Sequence, residues 1–450
     1  MKKQANTQIK VGFVSLGCPK NQLDTEVMLR ELYEAGFEIV SDETEADIIV
    51  INTCGFIESA KKEAIDNIID VGWLKKNHTL HGIVVTGCLA ERYRDEIFTE
   101  LPEVDAILGV GSIHEIVKAV SEVAEGRKFS SYADKNTVRL GGDRILTTPD
   151  YTAYLKIAEG CDNRCTYCAI PSIRGKFRSR PIEDIIAEAK ELAESGELKE
   201  LCLVAQDTTR YGEDLYGKYS LAELLDRLCK ETDIPWIRIL YCYPDKITDE
   251  LIEVMKNNDR IVKYIDIPVQ HISDRVLKRM NRHGDGALIR DVFARLRAAM
   301  PDITLRTTAI VGFPGETDED FAELCEFIKE IKFDHFGAFT YSREEGTPAY
   351  SFDEQIDEQV KQDRYDIIMG LQLDINEEKN KERLGRVIDV LVEEYDPVSE
   401  AFFGRSAADA PEIDGKVYFR AKRDAAQSGD IVKVKITEVC DYDLVGELAK

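Results

Sequence analysis

A chain of 450 residues, 44% hydrophobic and 32% charged, is long enough for two or three buried cores and polar enough to be soluble. No apolar run approaches the length of a membrane span, and the opening MKKQANTQIK lacks the apolar core of a secretory signal, so the expected location is the cytoplasm. The formal net charge of −26 repels nucleic-acid phosphate and attracts a basic partner.

Residues 8–125 alternate strand-like and helical runs. The strand-like runs are Val11–Leu16, Asp47–Asn52 and Gly82–Thr86, with helical runs such as Leu23–Ala35 and Ile57–Trp73 between them. Val- and Ile-rich strands separated by helices predict a doubly wound parallel sheet of the α/β class. Each of these strands runs into a cysteine: VSLGC at Cys18, VINTC at Cys54 and VVTGC at Cys88. Open α/β sheets gather ligands beyond the carboxyl ends of their strands. Three thiols placed there in parallel can hold three irons of a four-iron cluster. Gly17, Gly55 and Gly87 flank them and are expected to leave room for a bulky group. Gly109-Val110-Gly111 lacks the third glycine of a dinucleotide fingerprint and carries no weight. Residues 126–150 are polar and read as a linker.

Residues 147–378 carry six βα units and predict a partial (β/α)6 barrel. The first strand leads into Cys161-Asp162-Asn163-Arg164-Cys165-Thr166-Tyr167-Cys168. Three cysteines spaced C-x3-C-x2-C on one short loop can hold a second four-iron cluster with one iron left open. The alternatives are a zinc site or buried thiols. No second C-x2-4-C pair and no H-x3-5-H lies nearby as the partner that a usual zinc pattern needs. Eleven cysteines, an odd number, argue for metal ligation and free thiols over a disulfide framework. Later strand ends carry Gln206-Asp207-Thr208, Gln270-His271 and Gly312-Phe313-Pro314-Gly315-Glu316, which serve either as turns and helix caps or as a cofactor pocket. Arg174, Lys176, Arg178 and Arg180 form a basic cluster that meets an anion or is a solvated face.

Residues 353–383 read as a connecting helix. Residues 381–450 turn to five short strands with Gly and Asp turns, a small β-barrel of oligonucleotide-binding type. This stretch has 15 acidic and 11 basic residues, a net of −4, which suits a phosphate backbone poorly.

The loop GCDNRCTYC, with Tyr167 before its third cysteine, resembles the cluster loop of the radical S-adenosylmethionine enzymes. That resemblance implies that the open iron binds S-adenosylmethionine and that reductive cleavage yields a 5′-deoxyadenosyl radical. VGFPGET resembles a stretch that helps hold the cofactor, and Gln206 falls where contacts to its methionine part lie. Tyr167, Gln206, Gln270, Gly312, Gly315 and Glu316 are the implied cofactor contacts.

The order of three parts is similar to that of the methylthiotransferases, which end in a TRAM domain. SLGCPKNQLDTE, CAIPSIRGKFRSR, LVAQDTTRYG, YCYPDKITDELI, DIPVQHISDRVLKRM and GRSAADAPEIDG resemble the branch that acts on a ribosomal protein. The resemblance implies methylthiolation of the β-carbon of an aspartate in protein twelve of the small subunit. It also implies two 4Fe-4S clusters, one of them a sulfur carrier, S-adenosylmethionine as radical source and methyl donor, and an external electron donor. A β C–H bond is beyond ordinary general-base catalysis, and no Ser-His-Asp arrangement is visible. The competing readings are a transfer-RNA methylthiotransferase and a non-catalytic iron–sulfur protein. The acidic charge counts against the first, and a cofactor pocket against the second.

Overall fold

The computed structural model describes residues 8–449; the first seven residues of MKKQANTQIK and Lys450 lie outside them. The N-terminal part is an all-parallel six-stranded sheet in the order Glu38–Val40, Lys10–Ser15, Ile48–Thr53, Gly82–Gly87, Ala106–Leu108 and Phe129–Ser131. Ile48–Thr53 and Gly82–Gly87 are buried at every position, as central parallel strands covered on both faces must be. The chain reverses its winding between Lys10–Ser15 and Ile48–Thr53, the kind of switch point where ligands of open sheets bind.

Three of these strands were not visible as runs. Each has only three residues, and Glu38–Val40 and Phe129–Ser131 are half-exposed edge strands with no apolar pattern to reveal them. Phe129–Ser131 also corrects the reading of residues 126–150 as a linker, since it is the sixth strand of the sheet. The remainder is a strap between the first and second parts. Arg144 spans Glu26 on one side and Glu188 and the Tyr154 carbonyl on the other.

The central part is the expected partial barrel of six parallel strands, in sequence order. They are Thr152–Lys156, Glu200–Val204, Trp236–Ile239, Tyr264–Asp266, Thr304–Val311 and His335–Thr340. They form two three-stranded ladders joined by a single parallel bridge between Ile237 and Ile261. Leu203, Ile239, Ile265 and Leu305 point into the apolar layer under the helices. The helix Glu358–Lys381 does more than connect. It buries Ile368 and Ile375, and its Lys361 and Arg364 bond to the Tyr341 carbonyl and to Glu316 at the top of the last strands.

The C-terminal part is a closed five-stranded barrel in the order Val387–Asp396, Ala401–Ser406, Val417–Arg420, Asp443–Leu448 and Ile431–Cys440. Only Val417–Arg420 and Asp443–Leu448 pair parallel. Phe402 and Phe419 stack at its centre, 5.3 Å apart. Two of the strands expected to be short are ten residues long, because register shifts at Val392/Glu394 and Ile436/Glu438 break the alternation that would reveal their full length.

The stretch GRSAADAPEIDG has a structural task. It lies across the strand-start end of the central barrel and touches all six strands. Arg405 reaches Thr152 and Glu200, and the Ala407 carbonyl accepts from Arg238. Asp414 accepts from Tyr264 and Arg306, and the Ala408 carbonyl lies 2.8 Å from His335 Nε2.

Candidate active site

At the other end of the barrel, the loop after Thr152–Lys156 carries Cys161, Cys165 and Cys168. Its shape is set by backbone bonds to helix ends elsewhere in the barrel. Cys161 N donates to the Gly175 carbonyl, Thr166 N to Met280, and Ala349 N to Thr166. Arg164 turns the loop in a left-handed conformation, φ 51°. Burial pushes the Cys161 thiol up to about 11 and raises Cys168 too, with Cys165 adding to both. Thiols placed like this stay protonated unless a cation holds them as thiolates.

The second set comes from three separate strand ends of the N-terminal sheet. Cys18 precedes the helix Pro19–Glu34, Cys54 follows Ile48–Thr53, and Cys88 opens the helix Cys88–Tyr93. Contrary to the expectation of room for a bulky group, the glycines beside them face close neighbours. A Cβ on Gly17 would come 2.8 Å from Cys54 Cβ, and one on Gly55 would come 2.8 Å from Leu89 N. Their bareness lets the three loops close on one another. Burial pushes the Cys54 thiol up to about 11, with Cys88 adding to it. Burial raises Cys88 too. At Cys18 burial is outweighed by Lys20 and Arg174, and its thiol sits below the ordinary value.

Among the described residues no three His, Cys, Asp or Glu side chains are drawn together tightly enough for a single metal ion. A four-iron cluster takes each thiolate on a different iron, so its ligands stand further apart than those of one zinc.

One side chain reaches from the segment just after the first set to a thiol of the second. Arg174 ends the short helix Ile170–Arg174 just after Cys168 and is fully buried. It donates to Cys88 Sγ at 3.6 Å, to Asn21 Oδ1 at 2.6 Å and to Asp24 at 2.5 Å, and lies 3.4 Å from Glu159. Lys156 completes the network, 2.6 Å from Asp24 and 2.8 Å from Glu159. Burial pushes the Glu159 carboxyl up, but Lys156 and Arg174 outweigh it and hold the group down at about 2. The basic cluster is therefore no anion patch. Arg174 and Arg180 are buried, Arg178 donates to the Lys135 and Val138 carbonyls, and Lys176 alone is exposed.

The implied cofactor contacts lie around the first loop. Gln206 donates to Glu159 at 2.5 Å, and its buried Oε1 has no partner. Asn163 Oδ1 is orphaned in the same way. Tyr167 accepts from Arg282 at 3.0 Å and meets Phe313 edge-on. Gln270 adopts φ 69° and bridges to Ala309. Gly312, φ +72°, passes so close to Lys361 that a Cβ would come 2.3 Å from its Cγ. Glu316 is buried and accepts from the backbone of Gly312 and from Arg364, so its carboxylate braces the turn from within. Gly315 N donates to the Glu354 carbonyl. His271 is wholly buried, with Nδ1 accepting from Ser273 N. Sequence reasoning missed Lys20, Asp24, Lys156, Glu159 and Tyr241. The only signal was the run Lys20, Asn21, Asp24, Thr25 and Glu26, polar positions on one helix that are all buried.

Comparison with known proteins agrees with this layout. The Radical SAM superfamily matches residues 155–328, the uncharacterized protein family UPF0004 residues 10–109, and the TRAM domain residues 384–449. Over 438 residues the chain is 50% identical to the ribosomal protein uS12 methylthiotransferase RimO of Thermoanaerobacter sp. (strain X514), covering 97% of this chain and 99% of that one. The protein of the same name from Caldanaerobacter subterraneus subsp. tengcongensis is 52% identical over 438 residues, with the same coverage. The chain belongs to the ribosomal protein uS12 methylthiotransferase family. Among solved structures, the radical S-adenosylmethionine methyltransferase TsrM from Kitasatospora setae, with cobalamin and a 4Fe-4S cluster bound, shares the fold. It has a TM-score of 0.57 at 15% identity, covering 76% of this chain and 77% of that one.

The residues of this methylthiotransferase fit the groups its family implies. Two sets of three buried or half-buried thiols suit two iron–sulfur clusters. The unpartnered carbonyl oxygens of Gln206 and Asn163, beside the first set, suit the N–H donors of the S-adenosylmethionine amino group. Among the described residues no helix is long and apolar enough to cross a membrane.

Proposed function

We propose that this enzyme methylthiolates the β-carbon of an aspartate in ribosomal protein uS12. The observation that carries this reading is Arg174. It sits on the helix that follows Cys161, Cys165 and Cys168 and donates to Cys88 of the other set, which supports reading the two thiol sets as parts of one site. When bound, the two four-iron clusters and S-adenosylmethionine supply the radical, the sulfur and the methyl group that a C–H bond of this kind requires.

The chain's own residues hold and orient. Cys161, Cys165 and Cys168 hold one cluster, and Cys18, Cys54 and Cys88 the other. Gln206 Oε1 and Asn163 Oδ1 would accept from the cofactor's amino group, and Glu159 fixes the Gln206 amide by accepting from its nitrogen. The turn Gly312–Glu316 shapes the cofactor wall, because Gly312 lets the backbone pass over Lys361. Arg174, Asp24, Lys156 and Glu159 lock the N-terminal sheet to the barrel and keep bulk water from the joint. The three functional parts are residues 8–125 with the added strand Phe129–Ser131, residues 147–378 and residues 381–450. An external one-electron donor starts the reaction, a basic protein is the partner, and transfer RNA is not.

The test is anaerobic incubation of the reconstituted enzyme with S-adenosylmethionine, sulfide, a reductant and purified uS12, read by intact mass. The expected result is a gain of one methylthio group in place of one hydrogen, localised to an aspartate. Methylthioadenosine appearing in transfer RNA, with uS12 unchanged, overturns the reading.

A further inference from the structure

The joint between sheet and barrel holds one cation that the network above does not use. Lys20 lies two residues after Cys18, at the start of the helix Pro19–Glu34, and is 8% exposed. Its neighbours Lys156 and Arg174 are each paired with Asp24 and Glu159. Arg282, at the first thiol loop, spends its donors on Tyr167 and the Pro268 carbonyl. Lys20 forms no ion pair among the described residues. Its Nζ rests 3.3 Å from the centroid of the Tyr241 ring. A buried ammonium is costly unless paired, and a ring face repays only part of that cost.

Tyr241 is held there under strain. It takes φ 62°, a conformation that a bulky side chain rarely adopts. Three bonds fix it: its N–H donates to Asp266 at 3.1 Å, and its carbonyl accepts from Thr208 N at 3.0 Å and from Thr208 Oγ1 at 3.2 Å. Strain maintained by the surrounding structure clusters at ligand clamps. A strained tyrosine beneath an unpaired lysine, beside Cys18, is a receptor for an anion.

We infer that Lys20, backed by Tyr241, binds the side-chain carboxylate of the substrate aspartate. The inference rests on the proposed function and names the group through which that substrate is recognised. In aspartate the carboxylate carbon is bonded directly to the β-carbon. An ammonium that grips the carboxylate therefore fixes the reacting carbon one bond away, next to the thiol set of Cys18.

The experiment uses full-length reconstituted enzyme with uS12 carrying its aspartate or asparagine at that position. Equilibrium binding, kcat and KM for methylthiolation, and iron content are measured for wild type, Lys20→Gln, Lys20→Met and Lys20→Arg. Wild type should bind the aspartate form on the order of tenfold to a hundredfold more tightly than the asparagine form, the range of one charge-assisted contact. Lys20→Gln and Lys20→Met should lose most of that preference, chiefly as a raised KM, while Lys20→Arg keeps part of it and iron content stays at the wild-type value. An unchanged preference in Lys20→Gln overturns the inference. So does loss of iron from the Lys20 variants with the preference intact, which would make Lys20 a counter-ion of the nearby thiolates. If wild type modifies neither form, the substrate reading itself fails and this inference with it.

Discussion

The two ends of the central barrel bury charge in different ways. At the strand-start end, against the C-terminal barrel, the charges are paired. Glu200 takes Arg238 at 2.7 Å and Arg405 at 2.7 Å, the latter an ion pair too bent for a hydrogen bond. Arg405 also takes Glu393, and Asp414 takes Tyr264 and Arg306. At the strand-finish end, groups are left over: the Lys20 ammonium, the oxygens of Gln206 and Asn163, and the strained backbones of Tyr241 and Gln270. Buried charges that find counter-charges stabilise, whereas unpaired polar groups and strain cluster where a ligand can repay them. The barrel's lower end is thus built for stability and its upper end for chemistry, the division seen in closed α/β barrels.

The sharpest way to break this contrast is to strip the upper end of its thiols. Replacing Cys161, Cys165 and Cys168 together with Ala should abolish S-adenosylmethionine cleavage and leave about half of the roughly eight irons. Replacing Cys18, Cys54 and Cys88 should also leave about half, but cleavage should survive while sulfur insertion stops. Iron and sulfide analysis with quantified 5′-deoxyadenosine separates the two. Loss of cleavage in both well-folded variants would show that the sets do not divide the labour.

The lower end should answer in stability instead. Arg405→Ala leaves Glu200 buried with one partner fewer and should cost about 3–5 kcal/mol. Urea unfolding of the reconstituted enzyme would show the midpoint falling, while kcat of the folded fraction stays near wild type. For the same reason, cutting the chain at 384 should not leave a working two-part enzyme, because Glu200, Arg238 and Arg306 would face water at the barrel's base. A truncated chain that folds and keeps both clusters would contradict this.

Gly312→Ala tests the wall between the two regimes. The added methyl meets Lys361 at a left-handed φ, so strain of about 1–3 kcal/mol is expected at the turn braced by Glu316. Affinity for S-adenosylmethionine should fall, measured by calorimetry on the reconstituted enzyme. An unchanged affinity would remove the turn from the cofactor wall.

What could be read in the sequence follows from range. The buried strands Ile48–Thr53 and Gly82–Gly87 announce themselves, because a strand covered on both faces must be apolar throughout. The cysteine loop announces itself because its ligands are eight residues end to end. The three-residue strands do not, since their positions are fixed by neighbours rather than by their own pattern. Arg405 and Glu200 lie about two hundred residues apart, and neither differs in sequence from a solvated charge. GRSAADAPEIDG was readable as a signature, yet its task as the plug of the barrel depends wholly on that distant pairing. Lys20 was quoted within a motif, but whether a lysine is paired or left over is a property of the folded joint alone.

The smallest expected effect lies away from both ends, in the N-terminal sheet. His114 holds Glu31 of the helix Pro19–Glu34 at 2.5 Å, and its other nitrogen is 3.4 Å from the Arg139 carbonyl in the strap. The bond to Glu31 raises the His114 pKa above its ordinary value of 6.5, more than partial burial and the nearby Arg139 lower it. A histidine raised on folding contributes stability that is fully present below its unfolded pKa. That contribution is lost as pH rises through the folded value. The pair is about one-third exposed and screened, so the gain is below about 1 kcal/mol. Chemical unfolding at about pH 6 and about pH 8.5 should therefore show a slightly lower midpoint at the higher pH. His114→Gln should lie near the wild-type midpoint at the higher pH and lose the difference between the two. If His114→Gln keeps the full wild-type pH dependence, the proton responsible belongs to another group, and this ion pair contributes nothing measurable to the joint between helix and strap.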